Sequence, residues 1–233
     1  VRCLPDTLLP TPLPADALTW RSQLAQNDLV TLDLLVSDLW SRGIPVVPLE
    51  SIPSPRFQAM ACVVLGRPVV LLGHRIDAPG RVAYVVAHEA GHIANGHCEA
   101  GAPVVDEDDD IADDSPEEQA AEVYATTTIA GGSTPPPLSV GANPDPKALA
   151  TEALTRERST GAEASLLIFK WARETLDYAT ATLAVRALYR DRGARELLAE
   201  RCRQHIDLER SSETDRGLLR SVLGMAADDD ATD

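Results

Sequence analysis

Leu29, Leu32, Val36 and Leu39 recur at intervals of three and four, the spacing of one helix face. They lie in a stretch, 16–42, that reads as helix. Asn27-Asp28 can divide it in two, and Gly43 stands where a left-handed cap would end it. Three short Val-rich runs follow: IPVVPLE, AMACVVLG and PVVLLGH. They are too short for helices and rich in β-branched residues, so they predict a small sheet. The last two are joined through Gly66-Arg67 as a hairpin. Residues 78–95, APGRVAYVVAHEAGHIAN, return to helical spacing and stop at Gly96.

An acidic run, VVDEDDDIADD, reads as a solvated loop, and 106–114 could gate a neighbouring cleft or attract a basic partner. It lacks the glycine and terminal glutamate of an EF-hand. SPEEQAAEVYATTTIAGG then opens a helix: Ser115 can cap it, Pro116 fits its first turn, and Glu117 and Glu118 suit the positive end of its dipole. The Pro/Gly-rich stretch GGSTPPPLSVGANPDP cannot continue that helix. Everything after it reads as helical. Leu166, Phe169, Leu176, Ala179, Leu183 and Ala187 form one stripe, with later segments to about Ile206 and from Ser212 to Leu223, before a loose acidic tail. The arginines of this region alternate with acids, the pattern of a solvated face. The class expected is α+β, a small sheet with a hairpin packed on the helix that carries the histidines, followed by an all-α region. The division expected is 1–132, a linker at 133–146, and a helical accessory region at 147–233.

Charge narrows the function. A net charge of −15 disfavours direct nucleic-acid binding, which needs a basic face, but suits a basic protein partner. There is no apolar run of membrane-spanning length and no secretory leader pattern, so a cytoplasmic protein off the membrane is expected. The four cysteines include no CxxC pair and read as free thiols.

Three of the five histidines fall within residues 88–97, HEAGHIANGH. On a helix, positions 88 and 92 are about 40° apart around the axis and about 6 Å along it, so both imidazoles leave one face. They can grip one Zn²⁺. Glu89, about 100° around from His88, is placed to take a proton from a zinc-bound water rather than to share the ion; this is the content of H-E-x-x-H. Gly91 leaves room for a backbone or a substrate beside the metal. A polar triad directly after the apolar turn Val82–Ala87 needs a chemical reason. A third ligand is required. His97, one position out of register for a metzincin-type histidine and facing away by helical geometry, reads as a helix-end or outer residue, and Cys98 as a weaker candidate still. Glu117, Glu118 and Glu122 are the carboxylates at hand. Glu118 and Glu122 share a face, although Ser115-Pro116-Glu117-Glu118 is also a capping box.

HEAGHIANGH and the later EQAAEVYA together resemble the ImmA/IrrE family of zinc metallopeptidases, over about residues 25–132. The resemblance implies His88, His92 and Glu118 as ligands and Glu89 as the base. Glu122, which could orient a ligand histidine, stands where the family has Asn. His97, Tyr84 and Tyr124 are candidate outer or oxyanion-stabilising residues. It further implies a protein substrate, a helix-turn-helix repressor whose cleavage switches on stress or mobile-element genes. The substrate would lie as a strand along the edge of residues 58–65. Two rival classes stand beside this reading: a non-catalytic, zinc-stabilised module that binds a regulator, and a phage- or toxin-system protease with another target.

Overall fold

In the computed structural model the described residues are 4, 9–26, 29–49, 57–73, 77–98, 104–107, 115–132, 137–141, 143–189 and 193–222. Asn27-Asp28, most of the acidic loop, Arg190, Arg192 and the C-terminal tail lie outside them. The class is α+β.

The first helical stretch is two helices. α1 (Ala17–Leu24) is capped by Asp16, whose carboxylate accepts from Thr19 N at 2.9 Å, and α2 (Leu32–Ser41) by Thr31. Trp20 of α1 donates its indole N–H to Asp38 of α2 at 2.8 Å, which locks the pair. β1 (Val46–Pro48), β2 (Phe57–Val64) and β3 (Arg67–Leu72) follow, and β2 and β3 form the hairpin. Its turn is Leu65-Gly66 rather than Gly66-Arg67. Both turn residues have positive φ, 52° and 75°, the geometry that matches the twist of a two-residue hairpin.

The sheet has a fourth strand. β4 (Val104–Glu107) pairs antiparallel with β2, so Val104 to Glu107 are not loop. The strand order is β1-β3-β2-β4, with β1 parallel to β3. This corrects the expectation for residues 58–65: β2 is interior, its flank covered from Phe57 to Ala61 by β4, and among the described residues the outermost strand on that side is β4. On the other side, α8 (Ala194–His205) packs on β1, and the Cys202 thiol meets the Val46 carbonyl at 3.5 Å.

α3 (Pro79–Ala94) lies across β2 and β3, and α4 (Pro116–Ala130) packs along it. A core of α1–α4 and the sheet buries Trp20, Trp40, Leu35, Leu39, Val86 and Ile129. Removing such side chains from water is the main stabilising contribution, about 1.5–3 kcal/mol for each large aliphatic one. A second core joins α5 (Pro146–Thr160), α6 (Ala164–Thr175) and α7 (Tyr178–Leu188). Leu138 is buried in it, so 137–141 is packed against these helices. The single stripe expected there is broken. Leu176 adopts φ 60° between α6 and α7 and is exposed, Leu183 is exposed, and the buried face is Leu167, Ile168, Trp171, Ala181, Ala184 and Val185. Asp177 explains the break, because its carboxylate accepts from Thr180 N and starts a new helix. α8 leaves this second core and joins the first through Ala194, Leu198 and Cys202. A 3₁₀ turn (Leu208–Arg210) and α9 (Glu213–Val222) are the last elements among the described residues.

Candidate metal centre

Pro79 opens α3, and its buried face, Val82, Ala83, Val86 and Ala87, carries the helix against the sheet. The same face continues into His88, Glu89 and His92, which are 9%, 1% and 1% exposed. Two rings and a carboxylate are thus held at the floor of the fold. α4 supplies the other side. Ser115 caps it by accepting from Glu118 N at 3.3 Å, and Gly131 ends it at φ 70°. The Arg21 guanidinium donates to the Thr128 and Ile129 carbonyls at 2.8 and 2.7 Å, a cation on the negative end of the helix. Nothing in the spacing of α1 or α4 announces Arg21.

Gly91 sets how close the helices come. A Cβ there would lie 3.0 Å from Ala121 Cα and 3.1 Å from Ala121 O, so the missing side chain admits the α4 backbone. At this approach Glu118 reaches both histidines. His88 Nε2 lies 3.0 Å from Glu118 Oε2, His92 Nε2 lies 3.2 Å from Glu118 Oε1, and the two Nε2 atoms are 3.2 Å apart. Among the described residues these three form a group that could hold a metal ion. The fit is geometric. Ligand atoms each about 2.0–2.1 Å from a tetrahedral ion stand about 3.3–3.4 Å from one another, within a few tenths of an ångström of the edges observed. The chemistry agrees, since two imidazole lone pairs facing each other repel unless a proton or a cation lies between them. Glu118 also keeps its backbone N–H on the Ser115 cap, so capping and ligation use different atoms.

The outer ring nitrogens have partners as well. His88 Nδ1 lies 3.8 Å from Glu122 Oε2, and His92 Nδ1 lies 3.0 Å from His97 Nδ1. The nearby His88 ring, more than the neighbouring Tyr84 hydroxyl, holds the Glu122 carboxyl below its ordinary range, against the opposing effect of burial. Burial, then the neighbouring His88 and His97, pushes His92 down to about 4, so His92 is a neutral ring at physiological pH. Ligation needs that form. Burial pushes the Cys98 thiol up to about 11 and that of Cys62 up as well, with the charge of Glu89 adding to both. Neither is a thiolate near neutrality, and neither belongs to the group of three. Glu89 is not one of the three converging groups, and its charge is felt by Cys62 and Cys98.

The other candidates divide. The hydroxyl of Tyr84 meets Thr126 Oγ1 at 3.4 Å, and Tyr84 is linked to Glu122 at the margin of the triad. Tyr124 is not brought to the site: its hydroxyl donates to Pro14 O at 2.8 Å and its ring packs against Trp20. Glu117 stays exposed. His97 does not face away from His92, because the helix has already ended at Ala94. Comparison with protein-family models, curated proteins and solved structures finds no match to this chain.

Proposed function

We propose that this chain is a zinc-dependent endopeptidase of the ImmA/IrrE type, acting on a helix-turn-helix repressor whose loss releases stress or mobile-element genes. The observation that supports it most is the convergence of His88 Nε2, His92 Nε2 and the Glu118 carboxylate, at 3.0–3.2 Å from one another, with Glu89 next to His88 along the same helix. Two imidazoles and one carboxylate are a donor set suited to zinc. When bound, the ion supplies Lewis acidity, which makes a water acidic near neutral pH and polarises a peptide carbonyl. The chain's own groups do the rest. Glu89 accepts a proton from water on its carboxylate and delivers it to the amine of the departing segment. Glu122 and His97 stand against the outer nitrogens of His88 and His92, at 3.8 and 3.0 Å. An extended substrate finds unpaired backbone groups along the outer edge of β4, where no further strand pairs among the described residues. The acidic character of the chain, net −15, favours a basic partner.

One observation favours a non-catalytic alternative: Glu89 is 1% exposed, closed to bulk water as the chain stands. A zinc-stabilised module that binds a regulator without cutting it would have such a carboxylate. The Glu89→Gln variant separates the two. On the peptidase reading, wild type cuts a repressor encoded nearby, seen as new termini by mass spectrometry, and Glu89→Gln retains zinc without cutting. If both proteins bind that repressor and both leave it whole, the module reading takes over.

A further inference from the structure

We infer that His97 is a positioning residue for the metal centre: its Nδ1 accepts the Nδ1–H of His92 and so holds His92 in the tautomer whose Nε2 lone pair faces His88 and Glu118. This rests on the triad being a metal centre. The sequence device is the helix end. On a continuing helix, residue 97 would stand about 140° around the axis from residue 92. Instead Gly96 takes φ 76°, its N–H bonds Ile93 O at 3.2 Å, and His97 N–H bonds His92 O at 2.9 Å. This pair of bonds is the left-handed helix stop that glycine permits. It swings the His97 ring back over His92, with centroids 5.2 Å apart and planes at 67°, and brings the two Nδ1 atoms to 3.0 Å. Asn95 secures the turn by donating to Gly91 O at 2.8 Å.

A contact of two Nδ1 atoms at that distance holds one proton. If the proton belonged to His97, buried His92 would carry its own on Nε2, aimed at Glu118 Oε1 3.2 Å away, and that nitrogen could not ligate. If it belongs to His92, Nε2 is free to bind and His97 keeps its proton on its own Nε2. A neutral imidazole as acceptor is a weaker partner than the carboxylate that faces His88, so the two ligand rings are held by unlike groups.

The full chain is tested with Co²⁺ as probe, comparing wild type, His97→Gln and His97→Phe. Gln retains an acceptor oxygen, whereas Phe retains the ring without one. Affinity is read by chelator competition, ligand geometry by the visible Co²⁺ bands, and the fold by far-UV circular dichroism. The expected result is a loss of about 10–100-fold in Co²⁺ affinity for His97→Phe, with altered bands, and recovery of most of it in His97→Gln. Equal affinity and identical bands in all three would overturn the inference. Wild type that binds no Co²⁺ would instead overturn the metal centre on which it rests. Should His97→Phe fail to fold, nitrogen-15 spectra of the wild-type imidazoles decide. Nδ1-protonated His92 with Nε2-protonated His97 supports the assignment, and the reverse pair refutes it.

Discussion

Gly91 and Glu163 each act through one atomic contact, and each makes a prediction at that scale. A methyl group at position 91 would press on Ala121 Cα at 3.0 Å and Tyr124 Cβ at 3.1 Å, both within packed helices. Gly91→Ala is therefore expected to cost about 1–3 kcal/mol by overpacking. Because the same shift withdraws Glu118 from His88 and His92, it also weakens metal binding. Denaturant unfolding and chelator competition on one sample check both effects, and unchanged metal affinity would separate helix spacing from the site. Glu163 is buried at the start of α6, where its Oε2 accepts from Ser165 N, Leu166 N and Ser165 Oγ. Ser165 Oγ in turn accepts from Gly80 N of α3 at 2.8 Å, so this cluster ties the second core to the helix of the site. Burial pushes the Glu163 carboxyl up to about 7 from its ordinary 4.5, with Glu157 of α5 adding to the rise and the hydrogen bonds opposing it. Between those values the unfolded chain has released the proton and the folded chain retains it. This contribution to stability is thus present below that window and is lost as pH rises through it. Urea midpoints across the range should fall more steeply with pH for wild type than for Glu163→Gln, and parallel slopes would count against a neutral Glu163. At this scale the pairing of His88 with His92 on one helix face was readable, because four residues is about one helical turn. His97 was readable as an outer, helix-end residue, but its contact with His92 was not, because extrapolating the helix past Ala94 ignores the reversal at Gly96. Tyr124 shared a helix with Glu118 yet belongs to Trp20 and Pro14, a partnership that spacing does not encode.

At the scale of elements, α4 must be fixed at both ends for its first turn to present Glu118. Ser115 and Pro116 fix the start, and Arg21 from α1 grips the last carbonyls. Arg21→Ala is expected to cost about 1.5–3 kcal/mol, the range for hydrogen bonds involving a charged group, and to increase amide exchange in the last turn of α4. Hydrogen exchange confined to the rest of the molecule would contradict that role. The elements rich in local signals were legible: a first helical stretch that could divide in two, a Val-rich hairpin, the periodic helix α3 and the capped, Pro-started helix α4. β4 was hidden, because its two valines run straight into acids that read as a solvated loop and because its partner is distant in sequence. The stripe across α6 and α7 failed for a related reason. Periodicity alone carries across Leu176, whereas the capping carboxylate of Asp177 and the left-handed backbone at Leu176 end one helix and begin another.

For the whole molecule, the return of α8 to the first core is the feature that local patterns could not reveal. It depends on pairings far apart in sequence: Arg201 to Asp33 at 2.5 Å, His205 stacked on Trp40 at 4.8 Å, and Cys202 against Val46. The helix packs on β1, at the end of the sheet opposite β4 among the described residues, so the C-terminal region bears on the sheet that supports the site. Leu198→Ala, in that buried contact, is expected to cost about 2–4 kcal/mol and to lower the unfolding midpoint of the metal-loaded protein. A change restricted to α5–α7 would refute the shared core. The central claim concerns three atoms from two helices converging on one ion, and crystals grown with zinc test it most directly through anomalous diffraction at the zinc edge. The account predicts one peak per chain, bonded to His88 Nε2, His92 Nε2 and a Glu118 oxygen; a peak elsewhere, or none between those atoms, would contradict it.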